Sequence, residues 1–286
     1  MTKSNVWLDV AKKDFADAAR SKMLWALSAL MILFVGIAVY AAHAINEDPA
    51  IQDALFFMST PMLLLIPILG LIVGYMSIVG ERESGSIRAL LALPIVRWEV
   101  IVGKFVGRVG VLWIPIVAGF AIGSAIATVL YGTTPGRAYA EMMVFALTVG
   151  IVYVAIAVSI SASTNSRGKA MALAVGAFAL FEYLWSVIPM GVYYVINREL
   201  PAFTSVSDFP NWFLVLTRLA PSNAIATFLA SIFEFEGAFG GTGVSNDQLA
   251  EVPFFLQEWF SGIVVLLWIA VPLAIGYLRF QRATIS

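Results

Sequence analysis

Glu182 stands alone in a long apolar run, in "LFEYLW", with Tyr183 and Ser186 close by. A carboxylate in mid-span is costly, and by default it marks a lined translocation path or proton site, or else a hydrogen-bonded acid that locks neighbouring helices. His43 is the one histidine of the chain, and cysteine is absent. A disulfide, a thiol nucleophile and a Cys-built zinc or iron–sulfur site are thereby excluded. A single histidine with no carboxylate beside it supplies no zinc-protease ligand set, and at the outer end of the first span it reads as an interfacial residue rather than the base of a Ser-His relay. Met58 and Met62, one helical turn apart, offer either two soft thioethers for Cu(I) or simple packing. No metal site and no catalytic residue are expected, and an enzyme reading ranks last.

Nucleotide hydrolysis by this chain is tested by its two Gly-Lys pairs, Gly103-Lys104 and Gly168-Lys169. A P-loop needs a glycine five residues before the Gly-Lys pair and a hydroxyl directly after it, so that backbone N–H groups wrap the phosphates and the hydroxyl holds Mg²⁺. Trp98 and Ser163 stand where the glycine belongs, and Phe105 and Ala170 where the hydroxyl belongs. Both pairs fail twice. The glycine-rich "GAFGGTG" of residues 237–243 has no strand–helix context and reads as a loop.

The charged residues gather instead in "ERESGSIRALLALPIVRWEVIVGKF", residues 81–105, between two apolar runs. Ser84 or Ser86 caps a short helix, "IRALLAL", which must end before Pro94. A second helix restarts near Trp98 and runs through Lys104 into the next span. Ile87, Leu90 and Leu91 make one apolar face, with Arg88 pointing elsewhere. A connector between spans needs only about four residues, and this one runs from Glu81 to Arg108. Apolar residues on an exposed helix need lipid or a partner to cover them. A docking surface is the favoured reading.

The elements that position these residues follow from composition. The chain is 60% hydrophobic and 12% charged, with a net charge of −1 and a mean hydropathy of +0.90, whereas soluble domains carry about 25% charge. Nothing in that balance points to nucleic acid. A helix needs about 20 apolar residues to cross a bilayer. Six segments qualify: 23–44, 54–80, 109–132, 142–163, 170–196 and 259–278. Runs of this length without alternation do not fit barrel strands. Fourteen of the 17 basic residues fall on one side, with Arg137, Arg198 and Arg218 on the other. Basic flanks stay cytoplasmic, so both termini are inside.

Residues 4–20 are amphipathic, with Leu8, Ala11, Phe15 and Ala18 in one stripe and Asp9, Lys13 and Asp17 spaced for pairing on another face. This helix is expected to lie at the lipid surface. The outer connection, residues 197–258, holds two short apolar stretches, 212–216 and 224–233, read as interfacial or re-entrant helices with Asp208 and Ser222 as N-caps. The expected fold is thus an all-α integral membrane protein in one domain over residues 1–286. It has six transmembrane helices, an N-terminal interfacial helix and short re-entrant helices before the last span. The "MTKSNVWLDVAKKDF" start does not read as a signal peptide.

These features together resemble the ABC-2 type permeases, the membrane subunits of ATP-driven exporters. The resemblance rests on "AKKDFADAARSKM" at 11–23, on "GERESGSIRALLALPIVRWEVIVGKFVGR" at 80–108, on the six spans, and on "LAPSNAI" at 219–225. Within the family, "SIVGERESGS", "GKFVGR" and "FEFEG" are most similar to the permease serving nitrous-oxide reductase maturation. The resemblance implies that 84–93 is a coupling helix for a separate ATPase. It carries Glu81, Gly85, Ser86, Arg88, Leu90, Leu91, Pro94, Arg97, Gly103 and Lys104 over as coupling residues, with Ser86 where relatives often have Thr. The loop Thr164–Lys169 would make a second, smaller contact. It further implies a multi-pass protein of the cell membrane with no cofactor of its own, ATP and Mg²⁺ being bound by the partner. Two ATPase copies and a second permease, identical or paralogous, are the expected partners. The alternatives are an energy transmitter for maturation of an extracytoplasmic copper enzyme and, from another class, an ATP-independent secondary transporter. The latter predicts paired ionisable groups across several spans.

Overall fold

The computed structural model describes residues 6–47, 49–87, 95–199, 209–232 and 257–282, leaving aside the side chains of Thr60, Ser231 and Glu258. Within them every regular element is helical. The helices are α1 (Val6–Ala19), α2 (Lys22–Ile45), α3 (Ile51–Gly74), α4 (Val79–Ser84), α5 (Arg97–Tyr131), α6 (Arg137–Ser163) and α7 (Arg167–Phe178). A π-helical turn, Ala179–Leu184, joins α7 to α8 (Trp185–Asn197), followed by α9 (Asn211–Arg218), α10 (Pro221–Ile232) and α11 (Glu258–Arg282). Six stretches are long and apolar enough to cross a membrane. The protein is an all-α, multi-pass membrane protein.

Local chemistry sets the breaks. Ser21 separates α1 from α2, its side chain accepting from Leu24 N–H as N-cap residues do. Asp53 accepts from Ala50 N–H at 2.9 Å and fixes the start of α3. Gly85 and Gly132 close α4 and α5 in the left-handed conformation, at φ 78° and 70°, which costs glycine little. At 1.5 Å per residue, the 35-residue α5 is about 52 Å long. A hydrocarbon core of roughly 30 Å leaves part of it outside, which agrees with a helix that starts in the 81–108 connection and continues into the third span.

The chain forms two compact units, Met1–Ala174 with Ile269–Ser286, and Val175–Trp268. In the first, α5 is packed by α1, α2, α3 and α6, and α3 also lies along α6. Tyr153, Phe120, Phe145 and Met31 fill its core. Met58 and Met62 are fully buried there. His43 lies edge-on to Tyr131 at 5.2 Å. In the second unit, α9 and α10 meet at a bend of 97°.

Three expectations need correction. The buried stripe of α1 is Val10, Ala11, Asp14 and Ala18, and Phe15 lies outside it. α5 covers that stripe, since a Cβ added to Gly103 or Gly107 would strike α1. Asp9, Lys13 and Asp17 make none of the ion pairs found among the described residues. Ser222 sits inside α10, after Pro221, with its hydroxyl directed at Glu182, so it does not act as a cap. Asp208 lies outside the described residues.

Candidate functional site

Seven residues, Ser77–Glu83, bring the ends of several helices together. The second span breaks after Gly74, which would leave amide donors bare at the start of α4. Ser161 of α6 fills the gap, its Oγ accepting from Ile78 N–H at 2.9 Å and Val79 N–H at 3.0 Å. Arg82 donates to the Thr164 carbonyl at 2.7 Å and the Ala162 carbonyl at 3.0 Å, at the C-terminus of α6. Glu83 binds the start of α7, with Arg167 Nε at 2.8 Å and Arg167 N–H at 2.6 Å. A cation thus meets the negative end of one helix, and an anion the positive end of the next. These neighbours in sequence clamp the short connection between α6 and α7.

Arg97, on the far side of the undescribed stretch 88–94, reaches the last turn of α11. It donates to the Phe280 carbonyl at 2.6 Å and the Gln281 carbonyl at 2.7 Å. The Phe280 ring is fully buried, with the guanidinium carbons of Arg82 and Arg97 at 5.0 Å and 5.5 Å from its centroid. Both ends of the loop therefore grip one aromatic ring, a cation–π arrangement that strengthens when water is excluded. Glu99 accepts from Val96 N–H at 2.9 Å and holds the start of α5.

Beneath this lies a buried ion cluster. Lys104 Nζ is 2.7 Å from Asp14 and 2.5 Å from Glu81. Arg108 Nε is 2.7 Å from the other Asp14 oxygen, and its Nη1 donates to the Val73 carbonyl at 3.2 Å. Two carboxylates face two cations, so the burial leaves no net charge. Asp14 and Lys104 are 3% and 5% exposed, so each depends on the other for its charge to be tolerated. Close backbone approach makes the reach possible. A Cβ on Gly103 would stand 2.6 Å from Trp7 O, and one on Gly107 2.9 Å from Ala11 O.

The residues expected from sequence divide three ways. Glu81, Arg97, Gly103 and Lys104 are gathered here, with Gly103 and Lys104 facing inward onto α1. Gly85 makes the left-handed turn, and Ser86 is exposed, 3.0 Å from Ser84 Oγ. Arg88, Leu90, Leu91 and Pro94 lie outside the described residues. The loop after Thr164 does join this site, through Arg82 and Glu83. Asp14 was missed, although a carboxylate inside an otherwise apolar stripe, opposite glycines spaced by four, was a readable signal. Glu182 belongs to the other unit, where its Oε1 accepts from Ser222 Oγ at 2.6 Å.

Comparison with known proteins gives one family. The model of the ABC-2 family transporter proteins matches residues 8–285. A protein named "Probable ABC transporter permease protein NosY" from Stutzerimonas stutzeri is 28% identical over 98% of this chain and 99% of its own length. A protein of the same name from Pseudomonas aeruginosa is 27% identical over the same shares.

Proposed function

The chain belongs to the ABC-2 family of transporter proteins and is a permease subunit of an ABC transporter, and from that premise we propose that residues 81–108 receive the work of a separate ATPase subunit. In this reading the loop lies in the cytosol with both chain termini, and the excess of basic residues on that side supports it. The segment with Arg88, Leu90 and Leu91 enters a cleft of the ATPase, and Thr164–Lys169 adds a smaller contact. ATP and Mg²⁺ stay with the ATPase. Two permeases, identical or paralogous, work with two ATPases to export a cargo.

The observation that carries this reading is the mechanical continuity of the site. A push on 88–94 displaces the end of α4 and the start of α5, and the Arg82, Glu83 and Arg97 contacts pass that displacement to α6, α7 and α11. The Asp14–Lys104–Glu81 cluster takes α1 along. The long α5 then carries the motion across the membrane as one rod. ATP binding shifts the permease between conformations only as far as the ATPase prefers one of them.

Copurification in mild detergent tests the proposal. An ATPase of ordinary soluble composition should accompany the full chain, and Arg88→Glu or deletion of residues 86–92 should abolish that association while membrane insertion persists. Association that survives the deletion overturns the coupling assignment. A second reading, an energy transmitter for maturation of an extracytoplasmic copper enzyme, is favoured by the near-complete overlap with two relatives bearing one permease name. The same loop would serve it, with mechanical output in place of cargo.

A further inference from the structure

The break in the second span is a slip in hydrogen bonding. Along a regular helix each amide donates to the carbonyl four residues back. Tyr75 N–H donates to Leu71 O at 2.9 Å and Gly80 N–H to Met76 O at 3.1 Å, so the pattern holds on both sides. Between them Ser77 N–H donates to Gly74 O at 3.1 Å, only three residues back. Three backbone groups thereby lose the partners a regular helix would give them. The Val73 carbonyl loses Ser77, and the Ile78 and Val79 amides lose Gly74 and Tyr75.

Two other helices take up all three groups. Ser161 Oγ of α6 accepts from Ile78 N–H at 2.9 Å and Val79 N–H at 3.0 Å. Arg108 Nη1 of α5 donates to Val73 O at 3.2 Å. Ser77 and Ser161 are 1% and 0% exposed, so a freed backbone group there needs a protein partner. Tyr75 and Ile78 already lie in the right-handed helical region, at ψ −24° and −45°. Passage to the regular register therefore asks for small dihedral changes. A Cβ on Gly74 would stand 2.5 Å from Ala157 Cβ, a closeness that seats the end of α3 against α6 and leaves α4 as the moving part. Three-residue hydrogen-bonded turns inside helices often mark hinges.

We propose that Tyr75–Ile78 is a hinge with two hydrogen-bond registers, and that Ser161 and Arg108 are the positioning residues that hold it in the slipped one. Moving α4 off α6 frees the Ile78 and Val79 amides, which turn to the Gly74 and Tyr75 carbonyls, while Ser77 turns to Val73. No backbone group is left bare in either register. What moves α4 during transport rests on the reading that the 81–108 loop docks an ATPase. The hinge itself does not.

The test places a thiol at the fully buried Ile78 in a chain without cysteine. In the permease–ATPase complex in nanodiscs, maleimide labelling of Ile78→Cys reports departure of α4 from α6. Hydrogen exchange over residues 76–84 reports whether the amides stay bonded. Ser161→Ala should raise labelling roughly 3- to 20-fold. Arg108→Lys, which keeps a charge for Asp14, should raise it about 2- to 5-fold. In both, exchange over 76–84 should stay within about threefold of the parent, because Gly74 and Tyr75 take over the amides. The parent favours the slipped register, so both variants still cost stability. Val79→Pro suits the first position of α4 but bars the regular register, having no N–H for Tyr75. In its background Ser161→Ala should raise labelling by less than half as much as it does alone. A thiol at Ala155→Cys, buried in α6, should stay protected in every variant. A non-hydrolysable ATP analogue should change Ile78→Cys labelling in the parent and not in Val79→Pro. The hinge is overturned if Ser161→Ala speeds exchange and labelling together, as local fraying would, a comparison that does not need the proline variant to fold. It is overturned equally if Val79→Pro leaves the Ser161→Ala effect whole. A parent that ignores the nucleotide while the variants behave as stated supports the hinge and counts against the ATPase reading.

Discussion

Removing the Asp14 carboxylate is the perturbation whose size follows most directly from the geometry. Asp14→Ala leaves Lys104 with Glu81 alone, and Arg108 with the Val73 carbonyl at 3.2 Å. Deleting one partner of a buried ion pair costs about 3–5 kcal/mol. The surviving partners, and the partly exposed Arg108, reduce the expectation to about 2–3 kcal/mol. At 1.4 kcal/mol per decade, the ratio of docked to released α1 should fall roughly 30- to 150-fold. The assay is labelling of an Ala18→Cys thiol, buried on the same stripe, by a water-soluble maleimide in membranes. Asp14→Asn should fall between parent and alanine variant. Adding Lys104→Met to Asp14→Ala leaves Glu81 and Arg108 in balance, so the double variant should cost less than the sum of the singles. An increase of about fivefold or less would give the cluster the worth of an exposed pair. That result, or strict additivity, would refute the reasoning.

Other perturbations probe the same site from different directions. Gly107→Val puts a branched side chain where a bare Cβ would already stand 2.9 Å from Ala11 O, and should release α1 in the same assay, whereas Gly168→Ala, which has open space around it, should not. Ser161→Ala strands two amide groups at the break before α4, a loss of about 1–3 kcal/mol per unsatisfied group, and should lower the thermal midpoint in detergent. Arg82→Gln removes the fork to two carbonyls and the cation over Phe280. It should leave the ATPase bound but uncouple its turnover in reconstituted vesicles.

The six spans were legible because bilayer thickness imposes a length and composition that few soluble sequences satisfy. The loop after the second span was legible as a break between spans because charged residues are costly within hydrocarbon. Single buried contacts were harder to read. Asp14 sits beside Asp9 and Asp17 in a helix that also carries Lys12 and Lys13, and periodicity alone spreads those charges over a solvated face. Only the close approach of α5, permitted by Gly103 and Gly107, turns Asp14 inward. Lys104 and Gly103 stood out by family pattern, but their inward direction depended on that partner helix. The π-turn was hidden because one extra residue in a uniformly apolar run leaves its hydropathy unchanged. Ser222 looked like a cap because hydroxyls favour helix starts. Glu182, 40 residues earlier in the chain, is what claims it.

The claim that the 81–108 loop grips an ATPase is tested most directly by photo-crosslinking from Ser86, an exposed residue at the mouth of the loop. A photoreactive residue there, in the full chain in its native membrane, should yield one protein adduct that mass spectrometry identifies as an ABC ATPase. The same group at Trp25, exposed on the first span, should capture lipid instead. Lipid adducts alone from Ser86, with the complex intact, would contradict the account.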